Sequence, residues 1–424
     1  SVIRFYPLRR RKLLRRREYK MAETSAKRLK RAGTWVDVEN VHDLFVDILS
    51  RLPVQSIWSL RTVSKKWYGS IRNKTFAKNL LAKSKEEPRF IACLKMAKRM
   101  RLETMIPGRV EKSHLNTIDP AGRSDEDYMY MISSFNGLIC CVNYINEENV
   151  EGNNFWDLQI RIINPCTGET LLLPQGTPSF KFEPSFGVAY GSDEFKVFRI
   201  FCQEKVPKEK VYDGFYYEGG RVLRAHTSAV VYECEVYSSR TCVWENIGTV
   251  PCVPMYTHLS PFRSVHVFVG GKVYWLSSLF EPEEILSVDF DGRFEVIKLP
   301  HYHTNQKGED RITDDTFLIN LHGCLSVVVR HPNYMDVWIW KKHGWEFVCF
   351  DTMPFRENDL VLAITSLESE IFWVTQKLWC SYNVDTNSWK RIKRVNAISA
   401  GLANPSLLPF AKSIFPCNGD GMVP

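Results

Sequence analysis

Residues 48–67 read ILSRLPVQSIWSLRTVSKKW. From Val41 onward, apolar side chains recur at Val41, Leu44, Phe45, Ile48, Leu49 and Leu52. That i, i+3, i+4, i+7, i+8, i+11 spacing lines one stripe of an amphipathic helix. Pro53 ends the helix, because the residue before a proline is pushed out of the α region. Ser56 is placed to cap a short second helix carrying Ile57 and Leu60, and Thr62 or Ser64 to cap a third bearing Trp67 and Ile71. KTFAKNLLAKS, residues 74–84, supplies a fourth with Phe76, Leu80 and Leu81. So small a helical unit cannot bury all of this apolar surface within itself. Part of the stripe either packs on the rest of the chain or meets a partner.

From about Pro88 the pattern changes to period-two alternation with aromatic and β-branched residues in short runs. Two kinds of segment alternate. One is a turn followed by a strongly apolar strand, as in FNGLICCVN (135–143), GGKVYWLSS (270–278), LHGCLSVVV (321–329) and SEIFWVT (369–375). The other is strand, polar turn, strand, with the turns CTGE, DFDGR, KKHG and DTNS supplying the Gly, Asn and Asp that tight hairpins require. Pairing the two kinds gives units at 132–174, 266–300, 316–350 and 362–393, and a fifth running from FGVAYGSDEFKVFRIFC to Gly248. Units of this size, each ending near a Trp, Phe or Leu, predict an all-β, propeller-like domain with five visible blades. A sixth would be closed by PRFIACL together with the C-terminal segment. The recurring Trp244, Trp345 and Trp389 are read as blade packing, not as ligand-stacking residues.

Composition bounds the function. The chain has 424 residues, 44% of them hydrophobic, enough for one large core and a smaller unit. Its formal charge of +8 is concentrated at one end, where residues 1–20 hold nine Lys/Arg and one acid. The remaining residues balance to zero, so the globular part carries no overall basic bias and nucleic-acid binding is not expected. Position 1 is Ser and the first methionine is Met21, so residues 1–20 are read as sequence upstream of a natural start at Met21. The rival reading is a real basic arm, a nuclear signal or an organellar targeting peptide. Twelve cysteines spread from Cys93 to Cys417, with no CxxC pair, fit reduced thiols of cytoplasm or nucleus. The apolar run FLINLHGCLSVVV contains Asn320 and His322 and is shorter than the roughly 20 residues of a bilayer span, so no membrane-spanning helix is expected.

The stretch at 48–67 resembles the F-box, the three-helix module that docks onto the Skp-family adaptor of a cullin–RING ubiquitin ligase. The resemblance rests on Ile48, Leu49, Ser50, Arg51, Leu52, Pro53, Val54, Ser56, Leu60, Arg61, Val63, Ser64, Lys65 and Trp67 in order and spacing. It implies that Leu44, Ile48, Leu49, Leu52, Pro53, Leu60, Val63 and Trp67 contact the adaptor or set its docking surface. One departure stands out: the Leu-Pro pair that usually opens the family's first helix is replaced by Asn40 and Val41. That leaves a degenerate F-box with weak adaptor affinity as the alternative. The landmarks SSFNGLICC, IINPCTGETLLLP, FGVAYGSDEFKVFRI, CEVYSSRTCVWENI, VFVGGKVYWLS, ILSVDFDGRFEVIKLP and MDVWIWKKHGW resemble, in order, the plant F-box-associated interaction domain, a kelch-related module. With the F-box, the resemblance covers about residues 40–395.

Catalytic constellations are missing from the sequence: no HExxH, no GxxxxGK[ST], no GxSxG, and no GxGxxG leading into a helix. His301 and His303 form a pair without the Cys or carboxylate neighbours of a zinc set, so no metal or cofactor is expected. Cys140 and Cys141 alternate across a strand, which puts one of them in the core. The long insertion at 204–225 carries Tyr212, Phe215, Tyr216 and Tyr217, amphipathic side chains of the type enriched at interfaces. These are the candidate target-binding residues. A mobile insertion with no ligand role is the other reading.

The expected organisation is therefore α+β and multidomain. It comprises a basic disordered segment at 1–39, an all-α F-box at 40–84, an all-β F-box-associated propeller-like domain at 88–410 and a flexible tail at 411–424. The resemblance implies a non-catalytic substrate-recognition subunit that binds the adaptor through the helices and an unnamed target protein through the β-domain. The alternative is a ligase-independent protein-binding scaffold.

Overall fold

The computed structural model describes residues 42–87, 89–96, 99–106, 112–118, 129–148, 154–180, 184–203, 216–218, 221–223, 231–252, 254, 266–277, 284–300, 315–356, 359, 361–375, 377–394 and 407–417. The chain divides into two compact units with their boundary between Asn79 and Leu80. Four helices open it: α1 (His42–Ser50), α2 (Val54–Leu60), α3 (Lys65–Ile71) and α4 (Lys74–Lys85). The chain turns after Ser50 through two i→i−3 bonds, Arg51 N to Ile48 O and Leu52 N to Leu49 O, before Pro53 blocks any continuation. Ser64 caps α3 by accepting the Trp67 N–H at 3.2 Å. Asn73 caps α4 by accepting from Thr75 and Phe76. The expected Ser56 cap is not made. The second helix begins at Val54, directly after Pro53, whose fixed φ suits a helix start, and Ser56 lies inside it.

The β-region is a ring of six four-stranded antiparallel blades. Blade 2 contains Met129–Phe135, Leu138–Glu148, Asn154–Ile163 and Thr170–Leu172, with Ser179–Phe180 added beside its third strand. Blade 3 contains Ser185–Tyr190, Phe195–Cys202, Tyr232–Ser238 and Trp244–Thr249. Blade 4 contains Val267–Val269, Lys272–Leu276, Glu284–Asp289 and Phe294–Lys298. Blade 5 contains Asp315–Leu321, Cys324–Arg330, Tyr334–Lys341 and Gly344–Thr352. Blade 6 contains Val361–Leu367, Glu370–Thr375, Leu378–Asn383 and Ser388–Arg394. In each of these the strands run in chain order from the centre outward.

Blade 1 breaks that order. Its outer three strands are Arg89–Met96, Arg99–Met105 and Lys112–Ile118, and its innermost strand is Leu407–Phe410 from the far end of the chain. Phe90 stands opposite Pro409 and Ile91 opposite Leu408 in an antiparallel ladder. The sixth blade expected from PRFIACL and the C-terminal segment is this one. Residues 411–417, expected within a flexible tail, are instead packed: Ser413, Ile414 and Cys417 are buried. Asn164 Nδ2 donates to the carbonyls of Ser413 (3.2 Å) and Phe415 (2.7 Å), and Ser413 Oγ donates to Asn136 O at 2.7 Å. Gly137 next to it has φ +78°, and a Cβ there would collide with Ser413. Ser84, in the last turn of α4, accepts the Lys412 N–H at 2.8 Å.

Local sequence explains the hairpins. The turn from first to second strand uses two left-handed residues in blades 2, 4 and 5: Asn136-Gly137, Gly270-Gly271 and His322-Gly323. Such turns match the twist of a two-residue hairpin, and Asn, His and Gly tolerate positive φ best. The second strands are continuously apolar because both of their faces are covered by neighbouring blades. That corrects the reading of Cys140 and Cys141: both are fully buried, on opposite faces of one strand, and burial holds both thiol pKa values well above the usual range. Separate apolar clusters fill the seams between blades 2 and 3, 3 and 4, 4 and 5, 5 and 6, and 6 and 1. Outer-strand tryptophans fasten adjacent blades: Trp244 Nε1 donates to Pro174 O (2.9 Å) and Trp345 Nε1 to Lys298 O (2.7 Å). Trp389 instead packs on Tyr382 and Phe355.

The seam between blades 2 and 3 also holds a buried charge network. Arg199 is 0% exposed and pairs with Asp157 at 2.5 Å and Glu235 at 2.7 Å. It also donates to Thr177 O, while the Thr177 N–H and hydroxyl donate to the two Glu235 oxygens. Burial raises the Asp157 pKa above the ordinary carboxylate value, and the Arg199 charge opposes that rise. Removing the cation strands two buried carboxylates. Arg199→Met is therefore expected to lower unfolding free energy by about 3–5 kcal/mol in chemical denaturation, with Asp157→Asn in the same chain recovering part of the loss.

His266 gives a second expectation. Its Nε2 accepts the Val188 N–H at 3.2 Å, and burial pushes its pKa down to about 4. The unfolded chain, with an ordinary histidine near 6.5, takes the proton first. This contribution to stability is complete above that value and is lost as pH falls from 6.5 toward 4. Thermal unfolding at pH 7.5 and pH 4.5 is expected to show a pH-dependent loss that is smaller in His266→Gln by on the order of 2–3 kcal/mol.

Candidate docking surfaces

The helical unit sorts its apolar side chains into two sets. Phe45, Leu49, Ile57, Trp67 and Ile71 are buried, and the Phe45 and Trp67 rings meet edge to face with centroids 5.0 Å apart. Such a pair adds about 0.5–1.5 kcal/mol beyond its buried area. Leu52 (37% exposed), Val63 (42%) and Tyr68 (45%) are exposed, as is Pro53, and Ile48 and Leu60 are half-buried. Of the eight residues carried over from the F-box pattern, Leu49 and Trp67 thus belong to the internal packing. Leu52, Pro53 and Val63 present an open apolar surface. Leu44 lies on α1, and its side chain is outside the described residues, as are Asn40 and Val41.

The surface has polar stiffening that periodicity did not single out. Arg61 stacks over the Trp58 ring at 3.9 Å. Arg72 donates to the Tyr68 hydroxyl at 3.2 Å, holding an exposed aromatic beside α3. Asp47 and Arg51 pair at 2.7 Å one turn apart, a solvent-exposed pair worth a few tenths of a kcal/mol. The signal for Tyr68 and Arg72 was their i, i+4 spacing, which places a cation over a ring one helical turn away.

On the β-domain, the insertion after Phe195–Cys202 contains a short hairpin, Tyr216–Glu218 with Arg221–Leu223. It places Tyr216 and Tyr217 on a strand, but their side chains, and Tyr212 and Phe215 altogether, lie outside the described residues. So do His301 and His303.

The F-box domain model matches residues 42–79, which take in α1 to α3 and the first half of α4. The F-box associated beta propeller domain model matches residues 89–400, which take in blades 2 to 6 and the three outer strands of blade 1. An F-box protein of Arabidopsis thaliana is 26% identical over 385 residues, covering 89% of this chain and 97% of its own. Another from the same plant is 26% identical over 324 residues, 73% of this chain and 67% of its own. The Arabidopsis protein SUPPRESSOR OF NIM1 1 is 29% identical over 263 residues, 60% of this chain and 61% of its own. Among solved structures, an α-L-arabinanase of Penicillium chrysogenum aligns over 72% of this chain and 90% of its own at 9% identity and a TM-score of 0.39, a likeness that carries no argument. An F-box followed by a six-bladed ring, matched in order over most of the length, makes this chain a member of the plant F-box proteins with an F-box-associated β-propeller domain.

Proposed function

We propose that the protein is a substrate-recognition subunit of a Skp–cullin–F-box ubiquitin ligase. In this reading α1–α3 bind the Skp-family adaptor, and the propeller holds a target protein for ubiquitination and proteasomal degradation. The observation that carries the reading is the open apolar set of Leu52, Pro53 and Val63 on a helical unit whose core is already filled by Leu49 and Trp67. Burying each such side chain against a partner contributes roughly 1.5–3 kcal/mol before association costs are subtracted.

The subunit then needs no bond chemistry of its own. Tethering a target beside a charged ubiquitin-conjugating enzyme raises the effective concentration of target lysines, and that proximity is its contribution to rate. Twelve cysteine thiols, nine of them buried, suit a reducing compartment, cytoplasm or nucleus.

The test is co-purification of the full chain with a plant Skp-family adaptor. The parent is expected to bind, and Leu52→Asp with Val63→Asp to lose binding while keeping the parental melting temperature. Trp67→Ala is expected to act differently, lowering stability by about 3–5 kcal/mol through the lost core volume. A folded parent that does not bind the adaptor overturns this reading in favour of a ligase-independent scaffold.

A further inference from the structure

The outer hairpin of blade 5, Tyr334–Lys341 with Gly344–Thr352, is covered unequally on its two faces. Met335, Val337 and Ile339 turn one face into the seam with blade 6. The other face carries a row of aromatic rings. Trp340 meets Trp345 with centroids 5.1 Å apart, Trp338 meets Phe347 at 5.0 Å, and Tyr334 meets Phe350 at 5.6 Å. Blade 4 covers the start of this row, since the three tryptophans pack on the cluster between blades 4 and 5 and Trp345 is tied to Lys298 O. Its far end is open. The outer strand of blade 4, Phe294–Lys298, has five residues against the nine of Gly344–Thr352. Phe347 is 52% exposed and Phe350 62%, two large rings side by side in water on one face of one strand.

A carboxylate sits among these rings. Register places Asp336 directly opposite Phe350, on the strand between Tyr334 and Trp338, so its side chain shares their face. The His331 ring, stacked on Tyr334 at 4.2 Å, holds Asp336 Oδ2 at 3.0 Å. That contact fixes the carboxylate, and Asp336 Oδ1 has no partner among the described residues. The cation of these two strands, Lys341, lies on the opposite face and pairs with Glu346. The open end of the row is therefore negative twice over, through the π faces of its rings and through a carboxylate oxygen left to bond. Its complement is a cation.

We infer that this end of blade 5 is a docking patch for a target-protein segment that presents an arginine between apolar side chains. The guanidinium would bond Asp336 Oδ1 and lie on the Phe350 ring, while an apolar neighbour covers Phe347. Arginine fits better than lysine, because a planar, weakly hydrated cation stacks on a ring and bonds a carboxylate at once, whereas an ammonium is a strongly hydrated point charge. Aromatic and arginine anchors of this kind dominate measured interface energies. The inference rests on the propeller being the target-holding half, and it names the chemistry of the segment held.

The experiment measures fluorescence anisotropy of a fluorescein-labelled Gly-Leu-Arg-Leu-Arg-Leu-Gly peptide with the full chain, without adaptor. Its lysine and citrulline counterparts are run beside it, citrulline keeping the shape of arginine without the charge. The arginine peptide is expected to bind most tightly, and about tenfold less tightly to Phe350→Ala and to Asp336→Asn. Leu172→Ala and Val243→Ala, which trim comparably exposed apolar groups of blades 2 and 3, are expected to leave binding unchanged. Phe350 is exposed, so its truncation is expected to keep the parental melting temperature and to report on binding alone. Equal affinity for the arginine and citrulline peptides, or equal affinity of the parent and both blade 5 variants, overturns the inference. Equal binding of the arginine and lysine peptides overturns the assignment to a guanidinium. A parent that sediments as a dimer, dissolved by Phe350→Ala and left intact by the peptide, overturns it in favour of a contact between two copies of the chain. Adaptor co-purification reads the helical unit separately, so failure here leaves the ligase reading standing and the reverse also holds.

Discussion

The ring exists because four residues near the end of the chain pair with a strand near its beginning. Without Leu407–Phe410, blade 1 would have three strands, and Phe90 and Ala92 would lose Leu407 from their shared cluster. An open sheet edge at the centre of a propeller carries unpaired backbone donors and acceptors that water cannot reach well, and closure satisfies them. The segment after it then tightens the join. Asn164, one side chain with a carbonyl and an amide, serves both jobs: its Oδ1 accepts from Cys166 and Thr167 to shape its own turn, and its Nδ2 holds residues 413 and 415.

Given that closure, the blade seams are mostly a hydrophobic matter, with a polar exception that is instructive. Arg199, Asp157, Glu235 and Thr177 sit where another seam would have Leu, Val and Phe. A buried ion network is rarely a net gain over well-packed apolar groups, but it is intolerant of misplacement. Across this seam Asp157 of blade 2 meets the Arg199–Glu235 pair of blade 3, and the network closes only when all three groups are in place. The seam between blades 6 and 1 solves the same geometric problem with aromatic edges.

Much of this was legible in the sequence because the signals are local. Asn136-Gly137, Gly270-Gly271 and the apolar runs after them announce hairpins without knowledge of anything distant, and the stripe from Leu44 to Leu52 announces a helix. Periodicity could not say which part of that stripe is covered. Leu49 and Leu52 are three residues apart on one face, yet Leu49 is buried and Leu52 is open, because the turn at Arg51 and Leu52 leaves the helix before the stripe is complete. Long-range polar partners were equally invisible. Arg199 finds its two acids 36 and 42 residues away, a pairing that no spacing rule encodes. Cys140 and Cys141 misled for a related reason, since alternation predicts one exposed face and a strand between two blades has none.

The placement of the closing strand also fixes an order of events during synthesis. The helices of the F-box are complete by Lys85, and each of blades 2 to 6 is assembled from consecutive residues. Blade 1 cannot be finished until residue 410 has left the ribosome, by which time its first strand has waited through more than three hundred residues of elongation. At translation rates of about 5–20 residues per second that interval is on the order of tens of seconds, during which an apolar strand edge stands open. Such an edge is a binding site for chaperones and for other nascent chains alike. The same arrangement makes residues 407–410 a checkpoint: a chain cut short before Leu407 has almost all of its blades and no ring.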